Sequence, residues 1–238
     1  MIKIPISLSI VIPAFNEGEL LKKIVKTTLK EAEEILGKSF EIIIVDDGST
    51  DRTRLVAKQV ARTSKNINLI RHDERQGFGA TMISAIQKAK YEYITFIPSD
   101  GQVYLRDLTE TLKKAKNFDL IVTYRTNKKD YTLFRHFLSL GFKVLMRVFF
   151  GLSLKDYNWA QVYKRKIFFQ FIPESQGVFF LGETIVRAQK MNFKIGESRI
   201  IYRPRISGES KNANFRVALE TFVDLFKVWI KLNSFHEK

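Results

Sequence analysis

The 238-residue sequence contains no cysteine, which excludes disulfides and thiolate metal sites and leaves oxygen atoms or three histidines to hold any metal. A chain without cysteine fits a reducing compartment. No apolar run reaches the roughly 18 to 20 residues that span a bilayer. The amino-terminal segment carries only Lys3 as a charge before Ile10-Val11-Ile12, and reads as the approach to a first strand and not as a signal peptide. Acidic residues are scarce beside basic ones, 25 against 40, and the resulting net charge of +15 calls for an anionic partner: nucleic acid, a phospholipid surface or a phosphorylated substrate. Against a nucleic-acid module stands the absence of any helix-turn-helix, RNA-binding aromatic motif or zinc spacing.

What is present is enough for one sizeable core, since 45% of residues are hydrophobic. Short β-rich runs alternate with helical patterns as far as residue 123. Candidate strands are Leu8 to Ile12, Glu41 to Val45, Ile67 to Ile70, Tyr93 to Ile97 and Leu120 to Thr123. Leu20, Leu21, Ile24, Val25, Leu29 and Ala32 recur at helical spacing between the first two strands, and Asn16 with Glu19 predicts a capping box at that helix start. Nearly continuous apolar strands joined by helices imply an α/β fold with a mostly parallel sheet covered on both faces. Ligands of such sheets sit beyond the carboxyl ends of the strands.

Three strand ends carry unusual side chains: Pro13-Ala14-Phe15-Asn16-Glu17, Asp46-Asp47-Gly48-Ser49-Thr50-Asp51 and Ser99-Asp100-Gly101-Gln102. Singly, Asn16 and Ser49 read as helix caps and Asp100-Gly101 as a turn. Together, Glu17, Asp46, Asp47 and Asp100 gather on one sheet edge, where like charges cost stability unless a cation or donor-rich ligand joins them. A nucleotide with a divalent metal is such a ligand. Gly77-x-Gly79 is a weak phosphate-loop signal and fits a helix-entry turn as well.

These motifs, with Arg205-Ile206-Ser207-Gly208-Glu209-Ser210-Lys211, resemble the inverting glycosyltransferases of the GT-A fold, in the branch of dolichyl-phosphate mannosyltransferase and bacterial polyprenyl-phosphate glycosyltransferases. The resemblance covers about residues 7 to 212. It implies a GT-A domain over 1–212, with 213–238 an amphipathic helix of the same unit. It implies that Pro13, Ala14, Phe15, Glu17, Asp46, Asp47, Ser99 and Lys211 bind a GDP- or UDP-linked sugar, and that Asp100 and Gln102 hold Mg²⁺ or Mn²⁺ on the diphosphate. Asp100, Gln102 and Arg205 then serve catalysis, and Arg125, Arg135 and Ser139 hold the phosphate of a polyprenyl lipid. The sequence departs from the family pattern at Pro98, which stands where the first metal-motif aspartate is expected, at Arg75 in place of asparagine and at Ala160 in place of glycine. Losing one oxygen ligand weakens metal affinity, and leaves open a relative that has kept the fold and lost catalysis.

Displacing a nucleoside diphosphate from an anomeric carbon builds negative charge on the leaving group, which a metal at Asp100 and Gln102 and cations at Arg205 and Lys211 would stabilise. A lipid phosphate is largely ionised near neutral pH, its second pKa being about 6, and needs no general base. Relatives that glycosylate sugar hydroxyls carry a Glu-Asp pair; here Thr184 follows Glu183, which favours the phosphate over a saccharide acceptor. Arg135, Ser139, Lys143 and Arg147 recur every four residues through an apolar helix pattern and form one polar stripe, as expected of an interfacial helix. Phe215 to Leu232 repeats the theme, with Phe215, Leu219, Phe222, Phe226 and Trp229 on one face, and docking against the core is its favoured use over an interfacial one. The expected location is cytoplasmic, peripheral at the inner face of an anionic membrane.

Overall fold

The computed structural model describes residues 3–126, 133–201, 203 and 215–234. Its sheet has seven strands in the order β3-β2-β1-β4-β6-β5-β7, where β1 is Leu8–Ala14, β2 Phe40–Asp47, β3 Ile67–His72, β4 Tyr93–Phe96, β5 Leu120–Arg125, β6 Gln161–Lys164 and β7 Ile195–Ile200. All neighbours run parallel except β6, which is antiparallel to both β4 and β5. The five strands expected from sequence are present. β6 and β7 are additions.

The central strands read as unbroken apolar runs because both faces are covered: all eight residues of β2 are buried. One layer holds α1 (Gly18–Leu36) and α2 (Thr53–Ala61) against the Ile10, Ile12, Ile42 and Ile44 face. The other holds α3 (Phe78–Lys88), α5 (Leu133–Phe150), α6 (Phe180–Lys190) and α7 (Phe215–Ser234) around Val11, Ile43, Val45 and Phe180, while α4 (Thr109–Lys114) leads to β5. The chain runs outward from β1 to β2 and β3, then returns to the opposite side of β1 as β4. That reversal opens a crevice between the ends of β1 and β4, the place where doubly wound sheets bind ligands.

The last helix docks differently from its expected face. Among its described side chains Leu225 and Val228 are buried, each worth about 2 kcal/mol of apolar burial, whereas Leu219 and Phe222 stay exposed. Phe226 and Trp229 instead stack edge-on against Phe149 of α5, at 4.9 and 5.3 Å between ring centroids. The aromatic row therefore marks the seam with α5 and an exposed margin, and a row offset from it meets the core.

Candidate functional site

The helix start after β1 is not a capping box. α1 begins at Gly18, and Asn16, at φ 53°, turns the chain in the left-handed region that asparagine tolerates. Its side-chain oxygen accepts from the Thr50 N–H at 2.9 Å, and its own N–H donates to the Ser49 hydroxyl at 3.1 Å. The helix is capped from elsewhere, because the Thr53 hydroxyl accepts from the N–H groups of both Glu17 and Gly18 at 2.7 Å. Ser49 likewise is no helix cap, since α2 starts four residues later. The loops after β1 and β2 are thus laced into one unit that presents Phe15 and Glu17.

The acidic pair at the end of β2 is buried and anchors loops. Asp46 accepts from the Ser49 N–H at 3.2 Å. Asp47 accepts from the N–H groups of Gln76 and Gly77, both at 2.9 Å, and pairs with Nδ1 of His72 at 2.8 Å. His72 passes on to the Ser84 hydroxyl at 2.9 Å. Gly77 and Gly79 form a helix entry. The N–H groups of Gly79 and Ala80 donate to the Gln176 carbonyl, and a Cβ on Gly79 would lie 2.0 Å from the Ser175 oxygen. The N–H groups of Gly77, Gly79 and Ala80 at the start of α3 are thus already taken by protein acceptors. Glu183, fully buried, holds the same 174–176 segment through the N–H groups of Glu174 and Ser175 and through Arg187.

Beyond β4, Oδ1 of Asp100 accepts from the Gln102 N–H at 3.0 Å across Gly101, at φ 76°. The amide nitrogen of Gln102 donates to the Arg203 carbonyl at 3.2 Å, and Arg203 is itself paired with Asp107, so the chain is fastened to the site just before the Arg205 to Lys211 loop. Arg205 and Lys211 lie outside the described residues, as does the side chain of Arg135.

A cavity of about 750 Å³ joins these elements. Pro13, Ala14, Phe15, Glu17, Asp47, Ser99, Asp100 and Gln102 line it; Asp46 does not reach it. Arg125, Asp156, Asn158 and Trp159 also line it, as do Leu138, Ser139, Phe142 and Lys143 of α5 with Val217 and Phe222 of α7. Arg125 meets Asp156 through two hydrogen bonds and lies over the Trp159 ring at 4.3 Å. Among the described residues no three His, Asp or Glu side chains cluster closely enough to hold a metal. Asp100 and Gln102 nonetheless give two hard oxygens on one buried turn in the cavity wall, a donor set suited to a small divalent cation that draws its other ligands from a diphosphate and water.

Sequence reasoning missed the roles of Thr53, His72 and Asp156. The first two act through partners 36 and 25 residues away in the chain, which no local spacing reveals. The family description Glycosyl transferase family 2 matches residues 9–172. Glycosyltransferase AglD of Haloferax volcanii is 25% identical over 95% of this chain and 38% of its own length. The undecaprenyl-phosphate 4-deoxy-4-formamido-L-arabinose transferase of Pectobacterium carotovorum is 30% identical over 68% of this chain and 50% of its own length. The chain thus spans half or less of these two relatives. Dolichyl-phosphate beta-glucosyltransferase ALG5A of Trichomonas vaginalis is 27% identical, covering 94% of this chain and 73% of the relative. In fold, the chain superposes on glucosyl-3-phosphoglycerate synthase from Mycobacterium tuberculosis with a TM-score of 0.73 at 15% identity, covering 94% of this chain and 80% of that one. That synthase was also crystallised with Mn²⁺, uridine diphosphate and phosphoglyceric acid.

Proposed function

The chain belongs to glycosyl transferase family 2, and on that premise we propose that it moves a sugar from a nucleoside diphosphate to a polyprenyl phosphate. The observation that carries this reading is one cavity lined both by Glu17, Asp47, Asp100 and Gln102 from the ends of β1, β2 and β4 and by Leu138, Phe142, Val217 and Phe222 of α5 and α7. A donor with a charged diphosphate fits the first set, and an acceptor with a phosphate head and a hydrocarbon tail fits the second. The names of the undecaprenyl- and dolichyl-phosphate relatives point the same way.

In this reading the nucleoside lies along Pro13 to Glu17 and Asp47, with Ser99 beside the sugar diphosphate, while Asp46 holds the loop behind them. Asp100 and Gln102 would hold Mg²⁺ or Mn²⁺, which neutralises charge on the diphosphate when bound. Arg205 and Lys211 add cations to that charge, while Arg125, Arg135 and Ser139 orient the acceptor phosphate. An oxygen of the lipid phosphate attacks the anomeric carbon, the bond from that carbon to the diphosphate oxygen breaks, and the electron pair leaves with the nucleoside diphosphate. One displacement inverts the anomeric centre. Glu183 is tied to two backbone N–H groups and Arg187, so its carboxylate serves the scaffold, and the phosphate acceptor needs no base.

None of the helices among the described residues is long and apolar enough to cross a membrane. Phe137, Leu140, Val144 and Val148 form an exposed apolar stripe on α5, with Phe137 73% and Val148 71% exposed, and Leu219, Phe222, Val223 and Ile230 expose another on α7. With a net charge of +15, these stripes support a peripheral seat on an anionic membrane surface. Incubation with labelled nucleotide sugars and either polyprenyl phosphate or an oligosaccharide tests the acceptor. Label entering only the oligosaccharide contradicts the proposal.

A further inference from the structure

The side-chain amide of Gln102 is held in one orientation by the backbone of Arg203, 101 residues further along the chain. A carbonyl oxygen only accepts, so the 3.2 Å contact belongs to Nε2 of Gln102, and Oε1 is the atom turned away from Arg203. The carbonyl is itself held in place. The Arg203 guanidinium pairs with Asp107, whose side chain is 4% exposed, and lies over the Tyr104 ring at 5.4 Å. Oδ2 of Asp107 also accepts from the Tyr104 N–H at 2.9 Å, and the turn Leu105–Leu108 is pinned in the core by its two fully buried leucines. These contacts close a ring. The side chain of Gln102 meets the backbone of Arg203, the side chain of Arg203 meets Asp107, and Asp107 returns to the backbone two residues after Gln102.

We propose that Arg203, anchored by Asp107, is a positioning residue for Gln102: its carbonyl fixes the amide so that Oε1 is set to coordinate a divalent cation before the cation arrives. This assignment rests on the donor reading given above, in which Asp100 and Gln102 hold the cation. A glutamine side chain has three rotatable bonds, and fixing them in advance removes an ordering cost from binding. Partners that orient a ligand in this way commonly govern metal affinity almost as strongly as the ligand does. Pro98 raises the demand on that orientation. With no carboxylate at position 98, the neutral amide is a larger share of what the protein offers a hard cation, and its geometry counts for more. The Asp107 pair also gives the Arg203 side chain a use of its own, so its guanidinium serves the scaffold and its carbonyl serves the site.

The test is titration calorimetry with UDP and GDP, each run once with Mn²⁺ and once with EDTA, so that the ratio of the two affinities reports the cation and not the fold. The wild type is expected to bind at least one of the two more tightly with Mn²⁺. Arg203→Ala should lose about tenfold of that gain and keep the wild-type affinity in EDTA. Arg203→Lys, which keeps a cation for Asp107, should recover most of the gain. Arg106→Ala removes a different ion pair of the same turn, with Glu31 of α1, and should leave the gain intact. In a Gln102→Ala background, Arg203→Ala should weaken Mn²⁺-dependent binding no further. Should Arg203→Ala melt below the assay temperature, Asp107→Asn takes its place, since it breaks the same ion pair and keeps an acceptor for the Tyr104 N–H. An unchanged gain in Arg203→Ala, an equal loss in Arg106→Ala, or a loss that adds to that of Gln102→Ala would each overturn the proposal. A wild type that binds nucleotide without any gain from Mn²⁺ would overturn it together with the metal site, and one that binds neither nucleotide would remove the donor reading as well.

Discussion

The guanidinium of Arg125 meets the carboxylate of Asp156 in a two-pronged pair, Nε to Oδ2 at 2.8 Å and Nη2 to Oδ1 at 3.1 Å, with side chains only 6% and 5% exposed. The pair joins the end of β5 to the turn before β6 in the cavity wall. Removing one member strands a buried charge, which costs about 3 to 5 kcal/mol. Asp156→Ala is therefore expected to lower the urea midpoint substantially. A midpoint equal to the wild type would show that the pair does not support the fold.

Thr53 serves the start of α1 from the start of α2 by accepting two N–H groups. Thr53→Ala should destabilise by about 1 to 2 kcal/mol, as loss of a good cap does, and should loosen Phe15 and Glu17 enough to weaken nucleotide binding. Thr53→Ser keeps the hydroxyl and should restore most of both. If Ala and Ser behave alike in denaturation, the hydroxyl is not the cap.

Burial lifts the Asp224 carboxyl on α7 above its ordinary range, with Lys227 opposing and Glu183 and Glu220 adding to the shift. A carboxyl raised by folding contributes stability that is full below its unfolded pKa of about 3.9 and is lost as pH rises through the folded value. Asp224→Asn should thus melt a few degrees higher than the wild type at pH 7, and at the same temperature near pH 3. A constant offset between the two melting curves across pH would point to packing and not charge.

The exposed stripes on α5 and α7 predict vesicle binding with two components. High salt should release only part of the protein from anionic vesicles, because it screens charge and leaves apolar contact in place. Replacing Leu140 and Val148 together by Glu should cut sedimentation with vesicles at least tenfold while nucleotide affinity holds. Unchanged sedimentation of that double variant would move the membrane contact elsewhere.

Much of the site was legible because its residues follow apolar strands directly: Phe15 and Glu17, Asp47, and Asp100 with Gln102 all line the cavity as their place at strand ends implies. β6 and β7 were not, for a physical reason. Gln161–Lys164 is too short to show a period, and the inward residues of β7 are Gly196, Ser198 and Ile200, so the edge strand lacks an apolar row. The capping box misled because Asn16 itself makes a left-handed turn, in a loop whose partners, Ser49, Thr50 and Thr53, arrive from the next βα loop. The aromatic row of α7 was legible in part: Phe226 and Trp229 dock on Phe149 of α5 while Leu219 and Phe222 stay exposed, since amphipathic spacing does not say whether a neighbouring helix or the sheet takes the apolar side.

The central claim is sugar transfer to a polyprenyl phosphate in the cavity lined by Asp100 and Gln102. Its most direct measurement is the label recovered in the organic phase after incubation with a nucleotide-sugar panel, Mg²⁺ and undecaprenyl phosphate, for the wild type and for Asp100→Ala. Label dependent on the lipid phosphate in the wild type, falling at least a hundredfold in an Asp100→Ala protein that melts normally, is the expected result. Equal labelling by the two proteins, or no lipid-soluble label from any donor, would contradict it.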